Sequence, residues 1–157
     1  MIAFIDLDHF IIPNELTYPG IVLGLGIALW GTIFRGPTGV VVASFWDAAL
    51  GAALGAAVIV AINRASILLL NKEGMGGGDV TLLAMLGAFL GWRGTLLTLT
   101  LACLIGTAVS LPLIALGKRS RLDYVPFGPY LALGGLTVLF WGGRILGMWR
   151  RCFLPPL

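Results

Sequence analysis

The sequence predicts an all-α fold, a polytopic membrane helix bundle of about five transmembrane or buried helices plus a partial first helix, and three observations carry that expectation. Hydrophobic residues make up 59% of the 157 and charged residues 11%, so ten bases and seven acids cannot cover the surface of a water-soluble domain of this size. The mean hydropathy is strongly positive. The apolar residues fall into long runs separated by breaks of Gly, Pro or charge, each of which ends a helix or marks a water interface. The lipid bilayer is therefore the outer solvent.

Taken in order, residues 1–5 read as the tail of a helix, since a crossing needs about 20 residues. The expectation is a partial first helix in a truncated or minimal form of the protein. A cleavable signal peptide is not indicated, because no basic segment precedes the run and Asp6 and Asp8 follow at once. A loop over 6–17 leads into a span over about 18–34, closed by the Arg35-Gly36-Pro37 turn. The next span, about 44–70, is long enough to cross with tilt or to protrude, and Gly51 and Gly55 give it a face that lets another helix approach closely. After a loop over 71–78, the segment 80–92 rises only about 20 Å at 1.5 Å per residue, short of a bilayer of about 30 Å, and is expected to be buried among longer neighbours. A tight break at Arg93-Gly94 precedes a span over 95–116, a basic loop over 117–123 and a last span over about 127–147. The whole of 1–157 reads as one membrane-embedded domain.

The net charge of +3 comes partly from Lys118, Arg119, Arg121, Arg150 and Arg151, in two short clusters at the ends of apolar segments. Such clusters suit phospholipid headgroups rather than nucleic acid. If the loops holding Asp6, Asp79 and Lys118 share one face, that face gathers Lys72, Lys118, Arg119 and Arg121 against Arg35 and Arg93, which assigns it to the cytoplasm. Arg144, Arg150 and Arg151 then fall on the opposite side and cancel the bias. Cys103 and Cys152 can build neither a disulfide framework nor a four-cysteine metal site within one chain and read as inert thiols.

Against this background Asp79 stands out. It follows Gly76-Gly77-Gly78 at the edge of an apolar stretch, where an ionisable side chain is costly and marks a functional candidate. The glycines permit close backbone approach and leave room for an extended peptide beside the carboxylate. Asp6 lies in a second acidic loop, Ile5-Asp6-Leu7-Asp8-His9-Phe10-Ile11-Ile12-Pro13-Asn14. Two carboxylates brought together can share a proton, and the resulting acid and base can activate water against an amide without metal, cofactor, serine or thiol. Other readings stand beside this one. Asp79 can be an N-cap of the helix that follows. The glycine run lacks the Lys and Ser/Thr that a phosphate loop needs. Asp6-Leu7-Asp8, with His9, can bind a divalent cation, and His9 alone suits an interface. Asp47, Arg64 and Arg144 suit helix ends or interhelical contacts. A non-enzymatic membrane subunit or small ion-linked transporter would use Asp6 and Asp79 for ions.

Three segments nonetheless converge on one family. IDLDHFIIPNELTYPGIVLGL from Ile5, GMGGGDVTLLAMLGAFLGW from Gly74 and VPFGPYLALGG from Val125 occur in that order. In them the chain resembles the peptidase domain of bacterial type IV prepilin peptidases, membrane aspartic proteases with a GxGD motif. The resemblance implies that Asp6, six residues before Ile12, and Asp79 are the catalytic pair. Pro13, Gly76, Gly77 and Gly78 would shape the loops around it. It also implies an active site at the cytoplasmic face of the bacterial inner membrane, no cofactor, and a prepilin or pseudopilin as the partner, cut after the glycine that ends its basic leader. Two departures go with it. Thr81 stands where the family often has Lys, so any tuning by that lysine is absent. The cysteine-bearing region that longer relatives link to N-methylation is also missing, so a peptidase without a complete methyltransferase module is expected. Presenilin-like proteases use a Tyr-Asp motif, whereas Ile5 precedes Asp6 here.

Overall fold

The computed structural model describes residues 14–34, 44–71, 76–115 and 127–153, and the regular structure among them is entirely helical. The helices are α1 (Asn14–Phe34), α2 (Phe45–Leu70), α3 (Gly77–Ala115) and α4 (Gly128–Phe153). All four are long and apolar enough to cross a membrane. The partial first helix, with Asp6, Asp8, His9 and Pro13, lies outside the described residues.

Several boundaries differ from the sequence expectation for local reasons. α1 starts at Asn14 rather than near residue 18, with Pro19 inside it. So close to a helix start, the missing proline N–H leaves only the Glu15 carbonyl without its partner, a small loss. α2 follows the expected span. Its N-cap is Ser44, whose hydroxyl accepts from Asp47 N–H, and it ends at Asn71 in the left-handed conformation (φ 50°), whose N–H donates to Ile67 O. α4 runs past residue 147, because a glycine inside a helix costs only about 1 kcal/mol relative to alanine.

The largest difference is in α3. Its backbone leaves helical geometry at Gly91 (φ 69°, ψ 177°), two residues before the expected break at Arg93-Gly94. The chain doubles back there. A Cβ placed on Gly134 of α4 would lie 2.8 Å from Thr98 O, in the second half of α3, and one on its neighbour Gly135 would lie 2.8 Å from Leu86 in the first half. Leu82 and Leu83 likewise share one buried cluster with Ala102. The short first half, 77–90, is therefore flanked by longer helices, as its length required, and Leu82, Leu83, Ala84, Ala88 and Leu90 are buried.

α2 packs most extensively on α3, antiparallel to its first half. A Cβ on Gly55 would fall 2.7 Å from Leu83 O, and one on Gly51 would strike Gly87 O and stand 2.6 Å from Gly91 C. Hydrocarbon surrounds these helices, so burial of apolar surface does little to join them, and close backbone packing at small residues carries the association. Thr95 strengthens the joint: its hydroxyl lies 2.8 Å from Gly91 O and 3.3 Å from Gly51 O. α1 packs on the other side of the first half of α3, Gly20 against Met85 and Gly24 against Ala88. It is tied to α2 at the far end, where Phe45 N–H donates to Thr32 Oγ1 at 2.9 Å.

Candidate active site around Asp79

Asp79 is the third residue of α3 and is only 4% exposed. It is not the N-cap, because two of the three glycines before it are already helical. Its N–H donates to Gly76 O at 3.1 Å, and the Thr81 hydroxyl donates to Gly78 O at 3.0 Å, so the glycine turn is closed by its own backbone and by Thr81. The position sets the carboxylate at the positive end of the helix, among the first N–H groups, which have no intrahelical partner. Gly77 is exposed, and among the described residues an added Cβ there would meet nothing within 4 Å.

The packing register shows what else reaches this level. α1 runs parallel to the first half of α3, with Gly20 beside Met85 and Gly24 beside Ala88, which sets Asn14 level with Asp79. α4 also runs parallel to it, with Leu131 in the cluster of Leu82 and Leu83, and Gly135 against Leu86. Gly128 therefore falls level with Asp79 as well. Below the carboxylate lies the apolar cluster of Ile59, Leu82, Leu83, Ala102 and Leu131, against which Val80, Phe127 and Tyr130 pack. Phe127 O accepts from the N–H groups of Tyr130 and Leu131, which starts α4 at this level, while Tyr130 packs over Gly106.

Three helix starts thus meet at one end of the bundle. They are the starts of α1, α3 and α4, each belonging to one of the three motif segments. Pro13 and Asp6 precede the start of α1 in sequence and lie outside the described residues, as do Asp8 and His9. Gly76, Gly77 and Gly78 directly precede Asp79. Thr17 of α1 is fully buried close by, and Asn63 and Ser66 of α2 are half-buried at the mouth. The signal for the last two was present only as the continuation of the Gly51–Gly55 spacing. Asp47 sits at the other end, in the first turn of α2, its carboxylate 2.7 Å from where a Gly91 Cβ would stand. Arg64 and Arg144 are exposed on their helices.

With this geometry in view, comparison with known proteins is informative. The sequence profile of the type IV leader peptidase family matches residues 1–111. A prepilin leader peptidase/N-methyltransferase of Aeromonas hydrophila is 40% identical over 153 residues, 98% of this chain and 50% of that protein. The proteins of the same name from Stutzerimonas stutzeri and Pseudomonas aeruginosa are each 37% identical over 143 residues, 91% of this chain and 46% of theirs. The chain spans about half the length of these curated relatives. No solved structure matches it.

Proposed function

The chain belongs to the type IV leader peptidase family, and from that premise we propose that it is a membrane aspartic endopeptidase that removes the leader of a type IV prepilin or pseudopilin. The observation that carries this reading is the burial of Asp79 beside a glycine turn exposed at Gly77, at the end of the bundle where all three motif segments begin a helix. A carboxylate at the mouth of a membrane bundle, bordered by side-chain-free backbone, suits attack on an extended peptide. An isolated structural acid gains nothing from that exposure.

In the proposed mechanism Asp6 and Asp79 share one proton. One carboxylate takes a proton from water as the oxygen attacks the scissile carbonyl, and the other donates its proton to the carbonyl oxygen; as the gem-diol collapses, the first gives the proton taken from water to the leaving amine and the second recovers its proton from a gem-diol hydroxyl. No metal or cofactor is needed. The Asp79 end is proposed to face the cytoplasm at the inner membrane. The segments that carry Lys72 and the cluster Lys118, Arg119 and Arg121 connect helix ends lying at the Asp79 end, but Arg35, Arg93, Arg144, Arg150 and Arg151 fall toward the other, so the proposed orientation rests on the family likeness and not on charge.

The test is incubation of the purified chain with a prepilin, followed by N-terminal sequencing of the product. Cleavage after the leader glycine is expected, with Asp79→Asn and Asp6→Asn each lowering the rate by at least about a hundredfold while the protein stays folded in the membrane. Full cleavage by either variant sinks the two-aspartate mechanism. Altered ion binding with no peptide-bond cleavage by the wild type favours the ion-linked transporter instead.

A further inference from the structure

The stripe of α2 that faces α3 is formed by Ala48, Gly51, Gly55 and Ile59, all buried. It does not end at the level of Asp79. One turn further it continues as Asn63 and then Ser66, both half-buried, while Val60, Ala61, Ile62, Arg64 and Ala65 around them are exposed. Because Gly55 packs at Leu83–Ala84 and the helices are antiparallel, Ile59 falls level with Asp79 and Asn63 level with Gly76. Asn63 thus stands on the α3-facing stripe of α2 at the level of the glycine turn, about one helical turn beyond the level of the buried carboxylate.

A peptide drawn into this mouth is extended and leaves water, so its N–H and C=O groups need new partners. The helix starts at the mouth offer the N–H groups of their first turns, which are donors with no matching acceptors. A primary amide is the neutral side chain that offers both a donor and an acceptor, and it can pair with a peptide unit much as a neighbouring strand would. We propose that Asn63 is a substrate-positioning residue, its carboxamide pairing with one peptide unit beside the scissile bond and setting that bond against Asp79. This rests on the peptidase reading above and goes beyond it in naming how the peptide backbone is held.

The experiment compares wild type, Asn63→Ala, Asn63→Gln and Asp79→Asn of the full chain on a prepilin peptide and on ester analogues, in which one backbone N–H near the scissile bond at a time is replaced by oxygen. Asn63→Ala should raise KM about tenfold and change kcat by less than about threefold, the loss expected when one or two substrate hydrogen bonds disappear. Its melting temperature should match wild type, and Asn63→Gln should recover part of the affinity. One ester should weaken binding to the wild type and cause no further loss in Asn63→Ala. The proposal is overturned if Asn63→Ala keeps wild-type kcat/KM. It is equally overturned if the loss lies in kcat together with a lowered melting temperature, or if every ester weakens both proteins alike. An inactive Asp79→Asn beside an unaffected Asn63→Ala removes only the positioning role. A wild type that cuts no prepilin removes the peptidase reading and this inference with it.

Discussion

At Gly91 the backbone takes φ 69° and ψ 177°, a region open in practice only to glycine, and the Asp47 carboxylate occupies the place where a side chain would begin. The fold-back of α3 therefore depends on the absence of one carbon atom. Gly91→Ala should cost about 2–4 kcal/mol, from backbone strain and from the collision with Asp47, and should be read as a lower melting temperature in detergent. Pairing it with Asp47→Gly removes the collision but not the strain, so part of the loss should return. A Gly91→Ala protein that melts with the wild type would show that the turn does not need glycine. The reversal falls at Gly91 and not at the charged residue beyond it. Arg93-Gly94 looks like an interface break, and Arg93 does sit at a helix edge with its guanidinium 5.2 Å from the centre of the Trp92 ring, but the reversal comes before it.

Between elements, the α2–α3 seam is the joint on which the site depends, because it fixes Asn63 and Ile59 opposite the glycine turn. The backbones there approach so closely that a Cβ on Gly87 would strike Gly51 O and C and lie 2.8 Å from Ala52 N. Gly87→Leu should accordingly destabilise the bundle by about 3 kcal/mol or prevent its assembly, whereas a leucine at exposed Gly143, where an added Cβ meets nothing within 4 Å among the described residues, should be tolerated. Equal yields and melting temperatures for the two variants would contradict the seam. Half of this joint was legible: Gly51 and Gly55 sit at helical spacing in one apolar run. Their partner Gly87 was not, since with 23 glycines in the chain spacing alone does not say which pairs meet. The order and approximate lengths of the helices followed from hydropathy, which depends only on local sequence. Boundaries failed where a tertiary contact or a tolerated breaker decided them, at Pro19, Gly91 and Gly147. Asp79 was legible as an exceptional acid, but its place inside the helix was not, because a glycine run reads as loop until the start of α4 and the seam are packed against it.

Across the whole molecule four of the five tryptophans set a depth scale. Trp30, Trp46, Trp92 and Trp141 are all exposed and sit on four different helical segments. Counted along each helix from its residue at the Asp79 level, all four lie roughly 20–24 Å away at 1.5 Å per residue. Tryptophan prefers the boundary between hydrocarbon and headgroups, so these four mark one face of the bilayer. With a hydrocarbon thickness of about 30 Å, Asp79 then lies about 6–10 Å inside the opposite boundary. α2 accounts for that remaining distance: past Ile59 it continues through Asn63 and exposed Arg64 to Leu70, which brings Arg64 to the headgroup layer. On the proposed function the scissile peptide bond would descend about one to two helical turns below the membrane surface, where its backbone would need partners of the kind proposed for Asn63. The depth can be measured with spin labels on single cysteines after Cys103 and Cys152 are replaced by serine. A label on the outward Val60→Cys, at the Asp79 level, should be accessible to oxygen and shielded from a water-soluble nickel reagent. One on Leu68→Cys, at a site 82% exposed beyond Arg64, should show the reverse balance. Equal accessibility of both labels to the nickel reagent would put Asp79 at the water surface, and the tryptophan plane would then not be a membrane boundary.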